Sequence, residues 1–301
     1  MKKTIMSLIA GLMAFALSLV PVNVSRADSV SVKPFIAFGA DLSAKEKKEV
    51  LRQLGVTQEE LADYETIEVT NVDEHKYLDE YLASSVIGSR ALSSVMIEEA
   101  DEGSGIEVEA HNISFCTEEM YTNALVTAGI EDAKVTVAGP FKLSGTAALV
   151  GAMKAYATMT GETVDKDKSD AATNELVVTG ELGEAIGKEE AANFVATLKN
   201  KVVSENLTSE EDIKKAIDDT AKDFDVTLSD GMKEKMVSLM QKISGLDLNL
   251  DHIKEQAKDV YGKLKDMGVD LDDASGMLSK IGDFFSKIWD ALVNFFKGLF
   301  K

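Results

Sequence analysis

Strand-like patterns are confined to the first half of this chain, and that confinement limits its possible folds more than any other feature. Between residues 30 and 160, segments that alternate apolar and polar residues are interleaved with segments of helical periodicity. Beyond residue 174, every segment has the helical pattern. We therefore predict an α/β (mixed-sheet) N-terminal domain followed by an all-α helical C-terminal domain.

Local signals add detail to the first half. Ser43 precedes Glu46 by three residues, a capping-box spacing that predicts the start of a helix. The strand-like segments SSVMIEEA and GIEVEAHNISF are joined by DEGSG, whose turn-forming residues predict a β-hairpin. Because a hairpin pairs its strands antiparallel, the sheet is predicted to be mixed rather than purely parallel.

The sequence predicts three boundaries along the chain. Residues 1–27 form a signal peptide, 28–160 the mixed α/β domain, and 161–174 a linker, because GETVDKDKSDAATN is polar and has no apolar periodicity. Residues 175–301 form the helical domain, which ends in an amphipathic helix over 281–300.

The first residues have the three parts of a secretory signal peptide. Lys2 and Lys3 supply positive charge, and residues 5–20 form an apolar run that is short for a membrane span. Ser25 and Ala27 then fit a cleavage site. We predict an extracytoplasmic chain, secreted or associated with the outer face of the cytoplasmic membrane or with the cell wall. An uncleaved signal anchor is the alternative.

The chain is acidic, with a formal net charge of −20. Removal of residues 1–27 takes away three basic residues and no acidic one, which makes the charge −23. Such a charge disfavours nucleic acid as a partner, because phosphate binding requires clustered Lys and Arg.

Cys116 is the only cysteine and the first candidate for chemistry. His111 lies five residues before it, which suggests an activated thiol. Glu118 follows closely, however, and a carboxylate disfavours a neighbouring thiolate. We favour a buried, unreactive cysteine and assign no catalytic residue. A hydrolase of cell-envelope material that uses residues around Cys116, Asn123 and Ser144 is the alternative.

Other polar residues of this half predict a binding site. AGPFKLSGTAALVG joins a strand to a helix, and the backbone amides of residues 144–146 could cradle a small anion at the helix start. Capping of that helix by Ser144 is the simpler interpretation. Together with polar positions on the preceding helix, the predicted ligand-binding residues are Thr117, Thr122, Asn123, Thr127, Ser144, Gly145 and Thr146.

Neither a metal site nor a cofactor site is predicted. The segment DKDKSDAATNEL begins like a calcium loop at Asp165, but Asp170 stands where glycine is needed. Leu176 occupies the position of the bidentate glutamate. With three histidines and no HExxH motif, transition-metal ligation has little support.

The C-terminal segment is the strongest candidate for an interaction surface. It holds five of the twelve Phe residues and the only Trp, and at 100° per residue its apolar side chains fill about half of a helix circumference. Interfacial membrane helices use Trp and Phe in this way, with Lys opposite. Docking on the protein's own core is the alternative. The predicted membrane or partner contacts are Phe284, Phe285, Ile288, Trp289, Leu292, Phe295, Phe296, Leu299 and Phe300.

Three long segments carry a family resemblance. The run from HNISFCTEEMYTNALVTAGIEDAKVTVAGPFKLSG to GAMKAY, the segment FGADLSAKEKKEVLRQLGV and the phrase IGSRALSSVMIE resemble the YpuA-like exported proteins of Firmicutes. That group is catalogued as a domain of unknown function. The resemblance implies a Gram-positive organism, export and a role near the membrane or wall, and it supplies no catalytic residues.

These observations predict an exported cell-envelope protein that binds a ligand or partner without catalysis and is held near the membrane by its C-terminal helix. The expected partners are the membrane surface or another envelope protein, and not nucleic acid. The hydrolase described above and a structural protein that oligomerises through its helical domain are the alternatives.

Overall fold

The computed structural model of this protein describes residues 33–161 and 165–254. The predicted signal peptide over 1–27 and the predicted amphipathic helix over 281–300 lie outside the described residues and stay predictions. Within the described ranges, no helix is both long enough and apolar enough to cross a membrane.

One mixed sheet of five strands organises the first half of the described chain. The strands are β1 (Phe35–Gly39), β2 (Glu65–Val69), β3 (Ser94–Glu99), β4 (Ile106–Ile113) and β5 (Ala133–Leu143). Their spatial order is β2-β1-β3-β5-β4. The β1–β2 and β4–β5 pairs are parallel, whereas the β1–β3 and β3–β5 pairs are antiparallel. The predicted mixed sheet is confirmed.

The predicted hairpin between β3 and β4 is wrong, because β5 lies between the two strands. The first half of β5 is largely buried, so this strand is stable with a partner on each side, whereas β4 has no fully buried residue and suits the sheet edge. The DEGSG turn instead passes the start of β5. There the Asp132 carboxylate accepts hydrogen bonds from the amides of Gly103 and Gly105 at 3.0 and 2.7 Å.

Helices follow β1, β2, β4 and β5, whereas a turn alone joins β3 to β4. They are α1 (Ala44–Leu54), α2 (Asn71–Leu78), α3 (Ser84–Ile87), α4 (Glu118–Thr127) and α5 (Thr146–Thr160), with a 3₁₀ turn over Glu60–Asp63. The predicted cap of α1 is confirmed. Ser43 Oγ accepts a hydrogen bond from the Glu46 amide at 3.3 Å, and the Glu46 carboxylate accepts one from the Ser43 amide at 2.7 Å.

Both faces of the sheet are covered, so β1 is buried along its whole length. On one face, Ile36 and Phe38 share a core with Val50 of α1. On the other face, Ala37 shares a core with residues of α4 and α5. Gly151 permits the close approach of α5, because a Cβ at this position would lie 3.0 Å from the Ala37 Cβ.

The second half is helical, which confirms the predicted order of an α/β region followed by an α region. Its helices are α6 (Lys166–Ile186), α7 (Lys188–Ser204), α8 (Glu210–Asp223) and α9 (Asp230–Ser244), and residues 250–254 are also helical. Large buried side chains from all four fill one core, and examples are Leu182, Phe194, Leu198, Ile217 and Met240.

The linker predicted over 161–174 differs from the structure, because residues 166–174 form the first turns of α6. Small side chains explain the missing apolar pattern: Ser169, Ala171, Ala172 and Thr173 are buried although none is strongly hydrophobic. Ala172 joins the core of the sheet, and Ala171 joins the core of the helices. Helix α6 therefore contributes to both cores, and the division into separate domains stays a prediction.

Candidate functional site

The residues predicted to bind a ligand fall into two groups that serve different parts of the fold. On the outer part of α4, Thr117 is the N-cap and its hydroxyl accepts a hydrogen bond from the Met120 amide at 3.3 Å. The Thr122 hydroxyl donates to the Glu118 carbonyl at 3.0 Å. Both side chains are therefore used within α4 itself.

The start of α5 is built differently from the sequence-based expectation. Gly145, with a φ of +99°, is the N-cap in place of Ser144. The Ala148 amide in the first turn donates to the hydroxyl of Ser93 at 3.0 Å, and Ser93 immediately precedes β3. The interpretation of Ser144 as the cap is wrong, because the cap is supplied from the sheet. Ser144 Oγ instead lies 3.3 Å from Thr146 Oγ1.

Thr146 leads to a buried carboxylate that sequence reasoning missed. Its hydroxyl donates to Glu74 Oε1 at 2.9 Å, and the Asn71 amide group donates to Glu74 Oε2 at 3.3 Å. Glu74 is 1 % exposed. Burial raises the pKa of Glu74, so the neutral acid is favoured more than in water.

Asn123 and Thr127 lie on the inner side of α4, where they meet two charged residues that were also missed. Lys199 Nζ of α7 donates to the Asn123 carbonyl at 2.9 Å and lies 3.1 Å from Thr127 Oγ1. The same ammonium lies 3.0 Å from Glu175 Oε1 of α6, an ion-pair contact outside hydrogen-bond geometry. The Thr127 hydroxyl donates to Glu175 Oε2. We call these four residues the buried polar cluster.

Both charged members of the buried polar cluster are fully shielded from solvent, with 0 % side-chain exposure. Burial raises the pKa of Glu175 and lowers the pKa of Lys199, because removal from water disfavours either charge. Each charge is tolerated because the other is present. The cluster joins α4, α6 and α7, and the Asn123 side chain adds a hydrogen bond to the Ala192 carbonyl at 2.9 Å.

Cys116 lies immediately before α4 and is buried, with 3 % exposure. Burial raises the pKa of its thiol to about 12, an effect that a hydrogen bond with Tyr121 only partly offsets. The thiol is therefore protonated at neutral pH. This finding confirms the predicted burial and removes the activated thiolate that a cysteine nucleophile requires.

Because Cys116 is the only cysteine, its reactivity can be measured directly. We expect the folded protein at pH 8 to react with an aromatic disulfide reagent at least a hundredfold more slowly than the guanidinium-unfolded protein. A rise in pKa from about 8.5 to about 12 lowers the thiolate fraction by roughly a thousandfold, and burial adds a steric barrier. Equal rates in the two states, read from the absorbance of the released thiol, would contradict the buried position.

A cleft of about 320 Å³ opens beside the inner end of α4. It is bounded by the turn from α4 to β5, by the first turn of α6 and by the segment that follows α9. Its lining residues are Val126, Gly129, Ile130, Glu131, Lys168, Asp247, Leu248, Asn249 and His252. None of the seven residues predicted to bind a ligand lies in this lining. In the described part of the chain, no three His, Cys, Asp or Glu side chains are placed to hold a metal ion.

The described chain consists of an α/β region with a mixed five-stranded sheet, followed by a helical region. Ionisable residues are buried where helices of the two regions pack together. A family model described as "Protein of unknown function (DUF1002)" matches residues 38–260, well over half of the chain. The chain belongs to this family. It is 41 % identical over 298 residues to the "Uncharacterized protein YpuA" of Bacillus subtilis (strain 168), and the alignment covers 99 % of this chain and 100 % of that protein. No solved structure matches the chain significantly.

Proposed function

We propose that this protein is an exported cell-envelope protein that binds a ligand or partner without catalysis and is held near the membrane by its C-terminal helix. Two sequence features support the location. Residues 1–27 have the pattern of a signal peptide, and residues 281–300 have the pattern of an interfacial helix.

The observation that carries the membrane contact is the sequence of residues 281–300, whose apolar residues, including five Phe and the Trp, would fill about half of a helix circumference. Burial of one large apolar side chain contributes about 1.5–3 kcal/mol, so even half of the arc at half depth contributes several kcal/mol. The net charge of −23 that remains after removal of residues 1–27 opposes binding to an anionic membrane. That repulsion is screened beyond about 8 Å at physiological ionic strength, whereas the apolar contact is not.

A binding role is supported over the hydrolase alternative by the state of Cys116. Its thiol pKa of about 12 leaves it without the nucleophilic thiolate at neutral pH. Among the described residues, the Ser144 hydroxyl shares a side-chain hydrogen bond with the Thr146 hydroxyl. A threonine hydroxyl is not a general base, so this contact does not activate Ser144. A cleft with polar and apolar walls is, by contrast, the usual form of a ligand site.

Co-sedimentation with lipid vesicles tests the membrane contact. We compare the chain from Asp28 to Lys301 with a version that ends at Ser279, using neutral and anionic vesicles and circular dichroism to verify folding. The longer chain is expected to sediment with both vesicle types, and the truncated chain is expected to stay in solution while folded. The apolar free energy of the arc is the physical reason.

A matched pair of substitutions sharpens this test. Trp289→Ser on the apolar arc should lower the bound fraction at least fivefold, whereas Asn294→Ser on the polar arc should leave it unchanged. If neither chain sediments and truncation unfolds the helical region, the segment is part of the core and the proposed membrane contact is wrong.

A further inference from the structure

The cleft described above combines features of a site for one chemical class of ligand. Its volume of about 320 Å³ lies at the lower end of the range of small-molecule pockets, about 300–1,000 Å³. Val126, Ile130 and Leu248 give it an apolar wall, and charged side chains of both signs line the remainder. A small ligand with an apolar part and two opposite charges fits this lining.

Lys168 supplies the positive charge of the cleft. Its side chain is half-buried and packs across Gly129, where a Cβ would come within 3.3 Å of the Lys168 Nζ. Among the described residues, the Lys168 ammonium has no hydrogen bond or ion pair, whereas the Lys242 ammonium is paired with Asp170 at 2.8 Å. A half-buried lysine without a partner is suited to receive a carboxylate from a ligand.

The negative charges lie on Glu131 and Asp247, which are both exposed at the cleft. Glu131 Oε1 accepts a hydrogen bond from the Asn249 side chain at 3.0 Å, which joins the two sides of the opening. Asp247 has no such partner among the described residues. It is therefore the carboxylate available to an ammonium group, and the pair of carboxylates disfavours a ligand that is purely anionic.

His252 completes the lining of the cleft, and part of its side chain is exposed. Its Nδ1 atom is buried and has no hydrogen-bond partner in the described part of the chain, so this nitrogen is not open to a ligand in the cleft.

We propose that this cleft binds a small zwitterion with an α-amino acid framework: a free amino acid or a dipeptide with both termini free. Lys168 binds the carboxylate, Asp247 binds the ammonium group, and the apolar wall contacts a short side chain. The proposal does not depend on the membrane contact, because every residue that carries it lies in the described body of the protein.

Isothermal titration of the chain from Asp28 to Lys301 with alanine, dialanine and alanyl-leucine tests this inference. Binding is expected for at least one of the three at millimolar concentration or below. Two analogues of the best binder serve as probes, namely the N-acetylated form without the ammonium and the C-terminal amide without the carboxylate. Each analogue should bind at least tenfold more weakly, because a charge of the cleft is then left unpaired.

Substitutions assign each charge to its partner. Lys168→Met should weaken binding of the parent ligand at least tenfold, and this variant should bind the parent ligand and its C-terminal amide with equal affinity. Asp247→Asn should bind the parent ligand and its N-acetylated form with equal affinity. Lys166→Met, on the same turn of α6 but outside the lining, is the matched control and should change nothing. Absence of binding by all three ligands, or equal weakening by the two lysine substitutions, would overturn the proposal.

Discussion

Replacement of Lys199 by methionine is expected to lower the free energy of unfolding by about 3–5 kcal/mol. Methionine has a similar length, so the effect comes from electrostatics and lost hydrogen bonds rather than from a cavity. Without the ammonium, Glu175 keeps a fully buried carboxyl group whose remaining described partner is the Thr127 hydroxyl. The Asn123 carbonyl also loses a donor that lies at 2.9 Å. Urea unfolding followed by circular dichroism measures the change.

Two further variants separate the ion pair from the volume of the site. In Lys199→Met with Glu175→Leu, no unpaired charge remains, and the Thr127 hydroxyl is free to donate to the Asn123 carbonyl one turn back. This double variant should be more stable than either single variant. Lys214→Met removes an exposed ion pair with Glu210 and should leave the unfolding midpoint unchanged. Additive losses in the double variant would contradict a coupled pair.

The pH dependence should have opposite signs in the two single variants. In Lys199→Met, burial keeps the pKa of Glu175 above its unfolded value, so the neutral acid is favoured and stability is lost as pH rises through the folded pKa. In Glu175→Gln, burial keeps the pKa of Lys199 below its unfolded value, so stability is lost as pH falls through the folded pKa. Unfolding at several pH values between 5 and 9 distinguishes the two slopes.

Gly145→Ala is expected to lower the free energy of unfolding by about 2–4 kcal/mol. This loss is the sum of left-handed backbone strain and a steric clash. Gly145 has a φ of +99°, and a Cβ there would meet the Tyr121 hydroxyl and lie 2.6 Å from Ile113 Cγ2. The buried Tyr121 hydroxyl donates to the Gly145 carbonyl at 2.6 Å. Its displacement would therefore also weaken the contact between α4 and the start of α5. Chemical denaturation again gives the measurement.

Two other glycines separate the causes of this loss. Gly55 has a φ of +71° with open space around it, so Gly55→Ala should cost only the backbone strain of about 1–2 kcal/mol. Gly231 lies in the first turn of α9 with no such strain, and Gly231→Ala should be neutral or stabilising. If Gly145→Ala costs no more than Gly55→Ala, the steric part of the argument is wrong.

Local signals in the sequence were reliable where the physics itself is local. A capping box needs only residues three apart, and Ser43 and Glu46 form one as predicted. The turn residues of DEGSG correctly marked a reversal of the chain, but the partner of each strand depends on burial far along the sequence. Residues 133–143 were needed to show that β5 takes the position between the predicted pair.

The candidate site was harder to predict, because a charged residue in a helix is normally exposed. Asn123 and Thr127 were identified, but Lys199 and Glu175 were missed. A signal was present: Lys199 follows Leu198 on the stripe that continues to Val202, and all three are buried. Glu175 likewise precedes the apolar run of α6. The cleft could not be predicted at all, since it unites residues from three distant segments.

The position of β5 also has a consequence for the order in which the sheet is assembled. Val135 pairs with Ile97 on one side and with Val108 on the other. Until residue 135 has been synthesised, β4 therefore has no native partner in the sheet, and β3 has only β1. Strand β5 must therefore enter between two strands that precede it in the chain, and such non-local strand pairing is typical of slowly folding sheets.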